Sequence, residues 1–500
     1  MILFIILKIM VFQYSELMDN FKKLNYYDLI IFLIPLTIFS VYLFVFHPGI
    51  ATLDSFDQLH QIASSQFTNW HPFFHTFIEI LCLKVYPSIM SVGIFQILVF
   101  SIMWMIICKY NRDDNIQTDN TFKLQVIFSV LICLIPINAL YSITLWKDIL
   151  FSYFLMFLCF LAKVMIDKDG IVNYKFILLF SLIMAFIAQI RGNGMYVILV
   201  AMVIYSIYFL RKNNRKMAVL LPILTITFIL LIASLNIAYE VEDNEKDAFM
   251  AKLSHMLADY DLNLEIEDMD RNNIHKLINP NKISENYNPT GSDKIYNITN
   301  YKIYENDKGT YITLVLKYSL KDPLHFLQYL FGSSPMVWDI TRDDDWLGSP
   351  YYMSREKDNL QWSFEKYNNY TNDAHPKIYE NISYVNWGTP VFEILNFISL
   401  GFEYHFVADT LFNSPALYMY LSIIFLILIH IITNSKEIYL MYIPNLLNIL
   451  IVFFSTPVQD NRYLYANLLI CYLLIIILIG LMQRFDVKSL IHHEILKIFK

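Results

Sequence analysis

Glycine is scarce in this chain, at 12 of 500 residues. Glycine-rich loops that cradle phosphates or dinucleotides are accordingly missing: no Walker-type loop, dinucleotide pattern or nucleophile elbow occurs. Cysteine is rarer still. All five cysteines, at positions 82, 108, 133, 159 and 471, lie in apolar runs and none in the long polar region, which excludes a disulfide framework and a thiolate zinc site. No solenoid repeat is present, and no inverted repetition of interrupted spans, which weighs against a secondary transporter. Excess positive charge is lacking where a nucleic-acid partner would need it. The formal net charge is -7, and residues 240–414 hold 28 acidic against 15 basic side chains, leaving the remainder net cationic.

What is abundant is apolar surface, with 56% hydrophobic and 16% aromatic residues. Runs long enough to cross a hydrocarbon core lie near 29–46, 89–108, 124–143, 149–166, 176–190, 195–210, 217–238, 415–433, 437–455 and 463–482, which predicts an all-α polytopic membrane protein of about ten spans. The segment 176–190 is short against the usual lower limit of about 17 residues. The opening MILFIILKIMVFQ carries Lys8 and has no small-residue cleavage site after it, so it reads as an interfacial stretch rather than a secretory leader. Loop cations set the orientation. With both termini in the cytoplasm, 18 Lys and Arg fall inside, and apart from the region 240–414 only Lys84, Lys147, Arg191 and Arg462 remain outside. Abundant Ile, Asn, Lys and Tyr point to an AT-rich, bacterial genome.

Four blocks follow. Residues 1–238 form a seven-span module with a polar first outer loop at 47–88, residues 239–414 an extracytoplasmic region, residues 415–482 a three-span bundle, and residues 483–500 a basic cytoplasmic tail. Within the extracytoplasmic region, YITLVLKYSL (311–320) and HFLQYLFG (325–332) are apolar enough to pack, and the latter, like VFEILNFISLGF (391–402), reads as a surface helix. NPNKISENYNPTGSDK (279–294) reads as loop. Sequons at Asn297, Asn369 and Asn381 read as chance matches in an Asn-rich stretch, and the Asp343, Asp344, Asp345 run as a solvated acidic turn.

The first outer loop carries the chemistry. A helix over 54–66 places Asp54, Asp57, Gln58 and Gln61 on one face, opposite Phe56, Leu59, Ile62 and Ala63. A carboxylate held at a membrane surface can serve as a general base toward a hydroxyl, and Asp54 is the candidate. Asp57 could orient an acceptor or hold a divalent cation. The plainer reading is an interfacial helix with a wet side. In NWHPFFHTFIEIL, Pro72 suits a helix start, with His71 at its mouth and His75 and Glu79 at steps of four; His71 and His75 are a metal pair only weakly, and His71 reads better as a hydrogen-bonding group. Trp70 could stack on a sugar or simply mark the interface.

The cations left outside share a depth. Lys147 in TLWKD, Arg191 in RGNG and Arg462 in PVQDNRY each open a span and could together clamp a phosphate, Arg through its planar fork and Lys as a point charge, with Asp148, Asn193, Asp460 and Tyr463 in support. The alternative is local pairing with Asp148 and Asp460, or snorkelling. Lys84 fits the amphipathic flank of a 72–86 helix.

A first span followed by a long outer loop with an early Asp, the Trp70, His71, Pro72 turn, seven spans before a large outer segment, and the Arg462, Tyr463 pair opening a late span together resemble the GT-C membrane glycosyltransferases, in the style of protein O-mannosyltransferases and bacterial aminoarabinose transferases. At residue level the likeness is confined to 47–75, with echoes at 146–148, 191–194 and 460–463. It implies a GT-C fold and sugar transfer from a polyprenyl-phosphate donor to a cell-envelope glycan, lipid or protein on the extracytoplasmic side, with Asp54 at the position of the family's first-loop catalytic Asp. The chain departs in having Ser55 after Asp54, with Asp57 further on, and no second Pro after Pro72. Two alternatives stand beside this expectation: a polymerase or ligase of lipid-linked glycans, and a lipid or glycan transporter or flippase without chemistry.

Overall fold

Helices form where the apolar runs predict them. A computed structural model describes residues 25–112, 119–242, 248–341 and 406–484, with a few positions between 390 and 398. The amino-terminal stretch, Asp343 to Asp345, the sequons at Asn369 and Asn381, half of VFEILNFISLGF and most of the basic tail lie outside the described residues.

The first helix, α1 (Tyr26–Val45), is closed by a reciprocal cap in which Asn25 and Asp28 each accept from the other's backbone N–H at 3.0 Å. Two helices in the first loop follow, α2 (Leu53–Ser64) and α3 (Phe73–Val85), then α4 (Met90–Tyr110), α5 (Asp119–Leu134), α6 (Pro136–Ser142), α7 (Lys147–Asp167), α8 (Tyr174–Ile190), α9 (Gly192–Arg211) and α10 (Arg215–Ala238). The long polar region contributes α11 (Ala248–Asn263), α12 (Asp268–Leu277), α13 (Pro280–Asn286), α14 (Asp293–Asn297), α15 (Tyr301–Asn306), α16 (Lys308–Lys321), α17 (Pro323–Gly332), α18 (Pro335–Trp338) and α19 (Phe406–Asn413). Then come α20 (Pro415–Thr433), a 3-10 turn (Lys436–Tyr442) leading into α21 (Ile443–Ser455), and a second 3-10 turn (Asn461–Leu464) leading into α22 (Tyr465–Arg484). Among the described residues there is no strand, only isolated bridges.

Among the described residues, eight helical segments are long and apolar enough to cross a membrane, or nine if α5 and α6, bent by 73°, count as one. The sequence expects an unbroken span over 124–143. Pro136, which has no N–H to donate and restricts Ile135 to extended backbone, breaks it. The short apolar segment 176–190 is the 17-residue α8. Residues 279–294, expected as loop, hold α13, whose first turn is capped by Asn279.

Burial ranks the helices. Every residue of α7 from Asp148 to Ile166 is buried, so it is the axis of the bundle, whereas α10 exposes Val219, Ile223, Ile226, Leu230 and Leu231. So broad an apolar face suits lipid rather than water. At one end of the bundle Lys109 and Arg112 converge on the buried Asp28, and Lys212 bridges Asp169 and Glu437. Helices α11 to α17 enclose a second core around Leu257, Tyr260, Ile274, Tyr304 and Tyr318.

Gly194 shows how tightly α8 and α9 meet. A Cβ there would lie 2.0 Å from the Ile187 carbonyl oxygen, while one at Gly192 would meet nothing within 4 Å. Gly194→Ala is therefore expected to destabilise the protein by about 1–3 kcal/mol through overpacking. Gly192→Ala should leave it unchanged or slightly more stable, and thermal unfolding in detergent compares the two.

Candidate functional site

The polar first loop is stitched to the start of α7. Ile50 N–H donates to the Ile143 carbonyl and Leu145 N–H to the Ile50 carbonyl, both at 3.0 Å. Gly49 makes the approach feasible, with φ at +125° and no side chain to strike the Ile143 carbonyl. Side chains add to the stitch: Ser55 Oγ donates to the Leu145 carbonyl at 2.7 Å, and Trp146 Nε1 donates to Thr52 Oγ1 at 2.7 Å. The first turn of α2, with Asp54, thus faces the first turn of α7, with Lys147 and Asp148.

Arg462 completes the meeting. Its Nη1 lies 2.9 Å from Asp54 Oδ2, its Nε 2.9 Å from Asp460 Oδ2 and 3.9 Å from Asp148 Oδ2. Its guanidinium sits over the Trp146 ring, 4.6 Å from the centroid. Arg191, in extended backbone between α8 and α9, places Nε 3.1 Å from Asp148 Oδ1 and stacks on Tyr463 at 4.8 Å. Lys147 Nζ lies 3.9 Å from Asp54 Oδ2 and 3.1 Å from His71 Nδ1. The structure therefore brings Asp54, His71, Lys147, Asp148, Arg191, Asp460, Arg462 and Tyr463 into one cluster.

Three expected members stand at its margin or outside it. Asn193 turns to Ser455 at 3.4 Å rather than to the charges, and Trp70 is largely exposed, its ring 6.4 Å from that of His71. Asp57 borders the cluster, with Oδ2 accepting from Gln61 at 2.9 Å and lying 3.6 Å from His71 Nε2.

The polar face of α2 is wet only in part, at Asp54 and Asp57. Gln58 and Gln61 are buried, Gln58 donating to Thr76 Oγ1 at 2.9 Å and lying 3.1 Å from His75 Nδ1. His71 and His75 do not share a helical face, because α3 begins only at Phe73 and the two rings engage different neighbours. Among the described residues no three His, Cys, Asp or Glu side chains are grouped to hold a metal ion. Trp146, Thr52 and Ser55 join the site beyond the residues the sequence points to; the one sequence mark near them is the TLWKD motif, which contains Trp146 and to which Thr52 and Ser55 bond.

Electrostatics separates the two carboxylates of α2. Burial would raise the Asp54 carboxyl, but Arg462, Lys147 and His71 outweigh it and hold it well below the usual carboxylate range. Asp57 moves the other way, raised by burial and by Asp54 against the hydrogen bond from Gln61. Burial, reinforced by Lys147, pushes His71 down to about 4, so the ring is neutral. With Lys147 donating to Nδ1, the ring proton belongs on Nε2, toward Asp57. Beneath, burial raises Glu79 well above its ordinary value and pushes His75 down to about 3.

A histidine depressed from about 6.5 in the unfolded chain contributes stability that is present above that value and lost as pH falls through the folded value of about 4. His71→Gln should flatten the decline of the unfolding midpoint over that window; an unaltered slope would mean that His71 titrates normally. No protein family, curated protein or solved structure matches this chain.

Proposed function

We propose that the protein is an integral membrane glycosyltransferase of GT-C type, moving a sugar from a polyprenyl-phosphate donor to an acceptor hydroxyl at the extracytoplasmic surface. The observation that carries this reading is the convergence of Lys147 and Arg462, from two separate spans, on Asp54 of the first loop, with Arg191 from a third span joined to Arg462 through Asp148. The end of the bundle with this cluster faces outward in the proposal, and both termini lie in the cytoplasm.

The acceptor oxygen attacks the anomeric carbon while the bond from that carbon to the phosphate oxygen breaks, its electron pair leaving with the lipid phosphate. The acceptor proton passes to Asp54. Charge grows on the departing phosphate, so fixed cations stabilise the transition state more than the bound donor. Arg462 is suited to this because Asp460 and the Trp146 ring hold its guanidinium before any ligand arrives. A single displacement inverts the anomeric centre. The acceptor is a cell-envelope glycan, lipid or protein, and Asp57, His71 and Trp70 border the side from which it would come.

Purified protein given radiolabelled polyprenyl-phosphate sugar tests the reading. Asp54→Asn should lower transfer by about 10²–10⁴-fold, and retained transfer would remove Asp54 from the mechanism. Arg191→Ala and Arg462→Ala should each weaken donor use by about 10²-fold. Arg191→Lys should restore it only in part, since an ammonium lacks the guanidinium fork.

A further inference from the structure

The cluster is electrically closed before any ligand enters. Lys147, Arg191 and Arg462 face Asp54, Asp148 and Asp460, and His71 is neutral. A phosphate entering such a group finds cations whose charge is already answered. Tight binding needs one carboxylate to withdraw, since a buried arrangement gains only from the charge left uncompensated.

The three carboxylates differ in their freedom to do so. Asp148 has a side chain 1% exposed, fixed in the first turn of α7 against Arg191. Asp460 is 10% exposed, and besides meeting Arg462 Nε it accepts from the Arg462 backbone N–H at 3.0 Å, capping the 3-10 turn. Asp54 is 31% exposed and sits on a short helix outside the spans. It meets Arg462 and Lys147 through one oxygen, Oδ2.

We propose that Asp54 is a built-in stand-in for the donor phosphate, occupying Arg462 Nη1 and Lys147 Nζ until the lipid phosphate displaces it, and that this displacement releases Asp54 to act as the base. While paired with two cations the carboxylate is a poor proton acceptor. Handing them to the phosphate raises its basicity, because opposite charges are what favour its ionised form. The donor must therefore bind before the acceptor hydroxyl can be activated, which makes the reaction ordered. Asp57, on the same helix, feels Lys147 only at a distance, is in contact with His71 and Gln61 instead, and is no substitute for the phosphate.

This inference rests on the glycosyltransferase reading and gives one variant opposite effects on binding and on transfer. The full-length protein in nanodiscs is titrated with a polyprenyl monophosphate carrying no sugar. Asp54→Asn should bind it more tightly, on the order of tenfold, as expected when a competing charge pair is removed, while sugar transfer falls. Asp54→Ala gives the same sign if the amide variant does not fold. Asp57→Asn, an equal change of charge nearby, should alter binding by no more than about twofold, within what a partly exposed charge contributes. Unchanged or weaker binding by both Asp54 variants overturns the proposal, as does an equal gain in Asp57→Asn. Absence of saturable binding and of transfer in the parent protein would instead sink the proposed function itself.

Discussion

Two backbone hydrogen bonds, Ile50 N–H to the Ile143 carbonyl and Leu145 N–H to the Ile50 carbonyl, join the first loop to the entrance of α7. Each contributes only about 0.5–1.5 kcal/mol net. Their importance is positional. They hold the start of α2 against the most deeply buried helix of the bundle, and the hydroxyls of Thr52 and Ser55 and the Trp146 indole lock the register. Without that register Asp54 would not meet Arg462, and the charges of the cluster would be left uncompensated in a partly buried place, at a cost of several kcal/mol.

The spans were legible because lipid imposes one demand, an apolar run of sufficient length, and that demand is local in sequence. A second regularity, the bias of Lys and Arg toward one set of loops, marked Lys147, Arg191 and Arg462 as exceptions, and the structure gathers these three in one cluster. Partner choice was not local. Asp460 pairs with Arg462 as its nearness in sequence suggests, yet Asp148 turns from the adjacent Lys147 to Arg191 and Arg462. Successive residues on a helix point in different directions, so adjacency along the chain does not favour pairing. Gln58 misled for a related reason. A polar face in sequence signals a polar neighbour, which is usually water but here is Thr76 and His75 of α3.

Pro136 and α13 mark the limits of hydropathy in opposite senses. An apolar run conceals a backbone break, because apolarity says nothing of whether each N–H can be supplied. In 279–294, Asn and Pro suggest a turn, yet both are also the residues that begin helices, Asn279 as cap and Pro280 in the first turn.

Arg462 is where the two cores become interdependent. The loop that carries it is held by the long polar region: Ser292 N–H donates to the Pro457 carbonyl at 2.8 Å, Gln459 Nε2 to the Ser333 carbonyl at 2.9 Å, and Met336 N–H to Gln459 Oε1 at 3.1 Å. Phe331 of α17 packs on Phe453 of α21, ring centroids 5.2 Å apart, immediately before that loop. A guanidinium must be held within a fraction of an ångström to reach both Asp460 and Asp54, and α22 alone cannot do this, because the 3-10 turn before it is only four residues long. The helices of residues 248–341 therefore act as a brace for the charged cluster. Loosening that brace would disturb the position of Arg462 without touching any charged group, so the polar region and the span entrances operate as one structural unit.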